Sequence, residues 1–177
     1  MLIGKPAKIP AKRRGANKKA RTAKPARSVL VDVATQTLKV LQGGETAAEF
    51  PVSTSKFGLG CKEGSYKTPT GRFRIARKIG GTAPLWTIFR ARKNTGRQAK
   101  PGGKDDLVLT RILNLDGLDR ANANSLARFV YIHGTNQERL IGRPASHGCV
   151  RLRNKDMAAL YKMVRKGTPV RITAPRS

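Results

Sequence analysis

The sequence predicts a mainly β domain with one main helix near its C-terminal end. Three observations lead there. Short apolar stretches recur along the chain, separated by Gly, Pro, Asn and Asp, the pattern of strands joined by turns. Only one window shows an apolar stripe at helical spacing. No segment repeats at a fixed period, which excludes repeat architectures. Many short strands with one helix fit a β-sandwich or an open barrel.

Residues 1–27 are Lys, Arg, Ala and Pro with no apolar periodicity, so they read as a disordered basic arm. Order is expected from Ser28 to Thr173, with residues 174–177 as a short tail. Val29–Val33 and Thr37–Leu41 read as a hairpin around Ala34-Thr35-Gln36. After a turn at Gly43-Gly44, Glu49–Thr54 reads as a strand, and Pro51 places it at an edge because it cannot donate to a ladder. Residues 57–72 are a glycine-rich loop containing Cys61 and Pro69. Phe73–Arg77 and Leu85–Phe89 read as strands. Residues 90–106 are a long polar excursion rich in Lys and Arg, and loops of that length often serve as lids or binding loops. Leu107–Leu113 is a strand, and Phe129–Ile132 is a strand ending on His133. The helix is expected over about 154–166. Asn154 suits an N-cap, Asp156 falls in the first turn, and Met157, Leu160, Tyr161 and Val164 form one stripe. Gly167 and Pro169 stop it, and Val170–Thr173 is a last strand.

The formal charge of +27 is shared between the basic arm, which carries +10, and the rest of the chain. Such a protein attracts polyanions in a salt-dependent way. Nucleic acid is expected to bind only non-specifically. Readers of single strands need exposed aromatic platforms among their basic residues, and the nine aromatics here fall mostly in apolar patterns. No run is long and apolar enough for a membrane span, and Met1–Pro6 lacks the apolar core of a signal peptide. Two cysteines are too few for a disulfide scaffold.

The rare residues converge. The two histidines are His133 and His147, and Cys149 lies two positions beyond the second. A cysteine attacks as thiolate, so a catalytic cysteine needs a base or positive surroundings. His133 stands at a strand end, where the Gly134 carbonyl could accept one ring N–H and fix the tautomer. Gly148 permits a tight turn, and the Gly148 and Cys149 N–H groups could form an oxyanion hole. Arg143, Arg151 and Arg153 are expected to lower the thiol pKa and to offer a carboxylate a bidentate partner. The residues alone leave two other readings open: a metal site that Cys61 would complete, and a purely structural cluster.

His133-Gly134-Thr135, followed by Ser146-His147-Gly148-Cys149-Val150-Arg151, resembles the signature of the L,D-transpeptidase catalytic domain family (YkuD-type). Gly64–Phe73, with Thr68-Pro69-Thr70-Gly71, resembles an upstream segment of the same family. The resemblance implies the YkuD-like fold of mixed strands and a cysteine-dependent acyltransferase that remodels peptidoglycan in the cell envelope without a cofactor or metal. It implies Cys149 as nucleophile, His133 as general base and then acid, and Gly134 as the carbonyl that orients His133. Ser146, His147, Gly148, Arg151 and Thr135 are implied on the oxyanion or substrate side. The stem peptides of peptidoglycan are the implied substrate, with L,D-carboxypeptidase or exchange activity as the alternative at the same site. A non-catalytic polyanion-binding β domain is the alternative of another class. The basic arm could hold anionic wall polymers, and a monomer is expected. Cys61 reads as a partly buried thiol, with a redox pairing to Cys149 as the other option.

Overall fold

In the computed structural model, residues 26–174 are described; the basic arm lies almost wholly outside them. Ten strands share one mixed sheet, in the order β3-β2-β1-β10-β4-β7-β5-β6. Strand β8 branches from β7 and carries β9. The architecture is mainly β with a single α-helix, as expected.

The first hairpin pairs β1 (Arg27–Asp32) with β2 (Thr37–Gln42), and β10 (Pro169–Thr173) lies parallel to β1. Alternation drives both pairings: Val29, Val31, Leu38, Val40, Val170 and Ile172 all turn into the core. Strand β3 is Glu45–Pro51, not 49–54, and it is the sheet edge that Pro51 called for. It starts directly after the Gly43-Gly44 turn because antiparallel pairing with β2 continues through residues too small and polar to show periodicity. Strand β4 (Gly71–Ile79) joins β10 to β7 (Val108–Gly117).

The excursion at 90–106 is only partly a loop. Strand β5 (Thr87–Arg90) turns back into β6 (Lys93–Gln98), a hairpin whose second strand is exposed at every residue. Nothing there is buried, so no apolar pattern announces the strand. Strand β8 (Tyr131–Gly134) pairs antiparallel with β7 and parallel with the short β9 (Val150–Leu152).

Helix α1 spans Asn154–Met163, shorter than 154–166, and its N-cap is Arg153. Asn154 is not the cap. Its backbone N–H donates instead to Glu138 Oε1 at 2.8 Å, which brings a carboxylate to the positive end of the helix dipole. At the other end Lys78 Nζ donates to the carbonyls of Tyr161 and Val164 at 2.7 and 2.6 Å. Two of the orphan carbonyls are thereby satisfied, and the chain leaves the helix before Arg165. Met157 and Leu160 pack into the core that the sheet encloses.

Candidate active site

Parallel pairing of β8 with β9 sets the site. Ile132 lies opposite Val150 and His133 opposite Arg151, so Cys149 ends one residue before the register begins. His133 is buried, and its Nδ1 lies 2.7 Å from the Gly134 carbonyl. A carbonyl only accepts, so Nδ1 carries the hydrogen and Nε2 is the basic nitrogen. The position needs glycine: a Cβ on Gly134 would lie 2.5 Å from Asn154 Oδ1. Asn154 is itself buried, and its Nδ2 donates to the Thr135 carbonyl and to Glu138 Oε1. Burial holds the His133 pKa below its ordinary value against the opposing pull of Asp106 and the Gly134 carbonyl; Arg151 adds to the lowering.

Cys149 is half-buried. Its Sγ receives the Tyr131 N–H at 3.4 Å and faces the Phe129 carbonyl at 3.5 Å. Phe129 has a φ of 58°, a left-handed conformation unusual outside glycine. Of the arginines expected to lower the thiol pKa, Arg151 does so, but burial outweighs it. Burial pushes the thiol up to about 12; the Tyr131 N–H, Arg151 and Arg128 pull it down, and Asp106 adds to the rise. Arg143 and Arg153 are exposed. At neutral pH Cys149 is therefore a neutral thiol.

The Ser146–Cys149 turn closes on itself. Ser146 Oγ donates to the Cys149 carbonyl at 2.6 Å and receives the Gly148 N–H at 3.3 Å. Ser146 is fully buried, so its hydroxyl shapes the turn and does not face a substrate. Gly148 has a φ of 116°, and Thr68 Oγ1 donates to its carbonyl at 3.0 Å, which anchors the Thr68-Pro69-Thr70-Gly71 segment against the turn. Thr135 is also buried, with its hydroxyl receiving the Gln137 N–H. Arg151 is buried completely and holds Asp106, Gln137 and Ser53, so it supports the site from beneath and cannot reach a substrate carboxylate.

His147 turns outward. Its Nδ1 donates to Asp106 Oδ2 at 3.0 Å, and its ring packs beside Phe57 and Tyr66. Phe57, Tyr66 and Phe129 are the three exposed aromatics of the nine, and all three lie around this site. Two cavities meet at Cys149 and His147. One, about 350 Å³, is lined by Glu63, Tyr66, Arg128 and Phe129 among others; the smaller, about 230 Å³, by Asp106, Val108 and His133. A larger hollow of about 850 Å³, lined by Leu30, Asp32, Thr70 and Arg171, contains neither a thiol nor an imidazole.

The L,D-transpeptidase catalytic domain family (YkuD) matches residues 26–172. The chain belongs to that family. The Bacillus subtilis (strain 168) protein YqjB, named for the L,D-transpeptidases, is 27% identical over 147 residues, which is 82% of this chain and 70% of that protein. Among solved structures, an L,D-transpeptidase from Mycobacterium smegmatis aligns with a TM-score of 0.57 at 22% identity over 84% of this chain and 59% of its own. The L,D-transpeptidase LdtMt1, solved in complex with imipenem, aligns with a TM-score of 0.54 at 21% identity over 84% and 59%. Those two likenesses establish the fold, and this L,D-transpeptidase chain spans about three fifths of either solved chain.

Asp106 is the site residue that sequence reasoning missed. It sits in the polar segment after β6, which Asn136 and Gln137 stitch to the site. Asn136 Nδ2 donates to the carbonyls of Gly102 and Asp105, and Gln137 Nε2 to those of Gly103, Lys104 and Asp105. The neighbouring His133-Gly134-Thr135-Asn136-Gln137 run was the available signal, since two amides after a candidate catalytic strand end are apt to hold a loop. Both cysteines are free thiols. Among the described residues no cluster of three or more His, Cys, Asp or Glu could hold a metal ion, and no helix is long and apolar enough to cross a membrane.

Proposed function

We propose that the chain is a peptidoglycan L,D-transpeptidase with Cys149 as nucleophile and His133 as base. One observation carries the reading: His133, its Nδ1 held by the Gly134 carbonyl, shares the small cavity with Cys149. The neutral thiol gives its proton to His133 Nε2 as Sγ attacks the carbonyl of the third residue of a tetrapeptide stem. The carbonyl oxygen becomes an oxyanion; the Gly148 N–H is turned to Ser146 Oγ, so the Cys149 N–H is the backbone donor left to face it. His133 then returns the proton to the leaving amine, and D-alanine departs. An amine of a neighbouring stem attacks the thioester and gives its proton to His133; the C–S bond breaks, the leaving sulfur takes that proton from His133, and the thiol is restored with a 3→3 cross-link formed. The +27 charge suits an anionic wall, and the cell envelope is the place of action. A carbapenem should acylate Cys149, since a relative of the same fold is solved with imipenem.

The test is incubation of the purified chain with tetrapeptide-bearing muropeptides, read by mass spectrometry, beside Cys149→Ala. A cross-linked dimer with released D-alanine, absent from the variant, is the expected result. Tripeptide without dimer reassigns the acceptor to water. Equal product from the variant overturns the nucleophile.

A further inference from the structure

We propose that Asp106 is a positioning residue of the acyl transfer: one carboxylate locks His147 and Arg151 and stands as a fixed negative charge beside the Cys149–His133 pair. The proposal rests on Cys149 and His133 as nucleophile and base.

The geometry is specific. Oδ1 accepts from Arg151 Nη1 at 2.8 Å and Oδ2 from His147 Nδ1 at 3.0 Å. Both oxygens are engaged, and Asp106 is the one carboxylate lining the small cavity with His133, His147 and Cys149. Its loop is fixed from behind by the Asn136 and Gln137 amides. Burial alone would raise the Asp106 pKa, but His133, Arg151 and the hydrogen bonds from His147 and Arg151 outweigh it, so the group is held ionised.

The consequence follows from charge. When the thiol proton reaches His133 Nε2, a buried imidazolium forms whose Nδ1–H meets only a carbonyl dipole. Arg151, buried nearby, opposes that cation, while Asp106 pairs with Arg151 and favours the imidazolium. Asp106 disfavours the thiolate at the same time. The resting pair is kept neutral by burial, and Asp106 adds only to the rise in the thiol. Once the Sγ–C bond forms and the π-electron pair moves to the carbonyl oxygen, sulfur is no longer anionic and the support for the imidazolium persists. The remaining charged and titratable groups acting on the pair are Arg128 and Tyr131.

The full chain, Asp106→Asn and Asp106→Glu are compared in two assays. One is alkylation of Cys149 by iodoacetamide at pH 9, read by peptide mass spectrometry with Cys61 as the internal control. The other is kcat and KM on a tetrapeptide muropeptide. Removing a like charge at this range shifts a thiol by about one pH unit. Asp106→Asn should therefore alkylate about tenfold faster while its kcat falls about tenfold with KM little changed. Asp106→Glu should keep the wild-type alkylation rate. Opposite signs in the two assays are what a merely structural role would not produce. An unchanged alkylation rate in Asp106→Asn, or both rates moving the same way, overturns the proposal. Should Asp106→Asn fail to unfold cooperatively, Asp106→Glu decides alone: an unchanged alkylation rate with lowered kcat supports the proposal, and a changed one overturns it. A wild type without muropeptide turnover defeats the transpeptidase reading, whereas the alkylation arm still reports the charge.

Discussion

Replacing His133 by Gln removes the proposed base and little else. Gln is near in size, and its amide can still donate toward the Gly134 carbonyl that holds Nδ1 at 2.7 Å. The Cys149 thiol is pushed up to about 12 by its burial. At pH 7 such a thiol is ionised to about one part in 10⁵, against a few per cent for an ordinary cysteine. A buried nucleophile without a base is therefore short by about three decades, which lies within the range that general-base catalysis supplies. Carbapenem acylation of Cys149, followed as an adduct by mass spectrometry in single turnover, should slow about 10³-fold at pH 7 in His133→Gln. The two pH profiles should differ in shape. In the variant only pre-formed thiolate reacts, so its rate should climb about tenfold per pH unit up to pH ~10. In the wild type the rate should follow neutral His133, whose pKa burial has lowered. Activity should then persist below the ordinary histidine range and fall only as pH drops through the lowered value. A variant within tenfold of wild type at pH 7, or one with a flat profile, would refute the assignment.

Two stability predictions test the scaffold. Asn154→Ala leaves the Thr135 carbonyl and the Thr110 O–H without their partner in the interior, although Thr110 Oγ1 still accepts the Trp86 N–H, and it removes a partner of Glu138. At about 1–3 kcal/mol for each unsatisfied group, the loss is about 3–5 kcal/mol, or about 10 °C in Tm for a domain of this size. A calorimetric shift under about 3 °C would mean the site does not depend on this amide. Lys78→Met removes the ammonium that donates to the Tyr161 and Val164 carbonyls at the end of α1 and that lies 4.1 Å from the centre of the Tyr161 ring. That should cost about 1–2 kcal/mol by denaturant titration, with the pH profile of Cys149 acylation unchanged, because Lys78 acts on neither Cys149 nor His133.

What the sequence disclosed tracks burial. Strands β1, β2, β4 and β10 alternate because one face is packed, β7 is buried from Leu109 to Leu115 because both of its faces are covered, and α1 shows its stripe because Met157 and Leu160 enter the core. Strand β6 escaped because all six of its residues are exposed, and β9 because a strand of three residues is too short for a period. Asn154 misled for a related reason. It is a common capping residue, but tertiary contacts from Glu138, Thr135 and Thr110 recruited its side chain into the interior. The motif residues were legible because they are rare and clustered. Asp106 was not, because its meaning depends on two amides that fold its loop over the site.

The two histidines show why distance along the chain misleads. His147 lies two residues from Cys149, yet the left-handed Gly148 and the Asp106 carboxylate turn its ring outward against Phe57 and Tyr66. His133 lies sixteen residues away, yet the parallel register of β8 with β9 sets it opposite Arg151 and beside the thiol's cavity. Each ring also has the partner its place requires. His133, proposed to become a cation and then a neutral ring again, is held by a carbonyl, which fixes the tautomer without holding the proton. An exposed ring that only frames the cleft can be held by a full carboxylate. A carboxylate in place of the Gly134 carbonyl would raise the His133 pKa and hold the proton more tightly once it had been accepted. The division between the histidines is therefore written in their acceptors, Gly134 and Asp106, more than in their distance from Cys149.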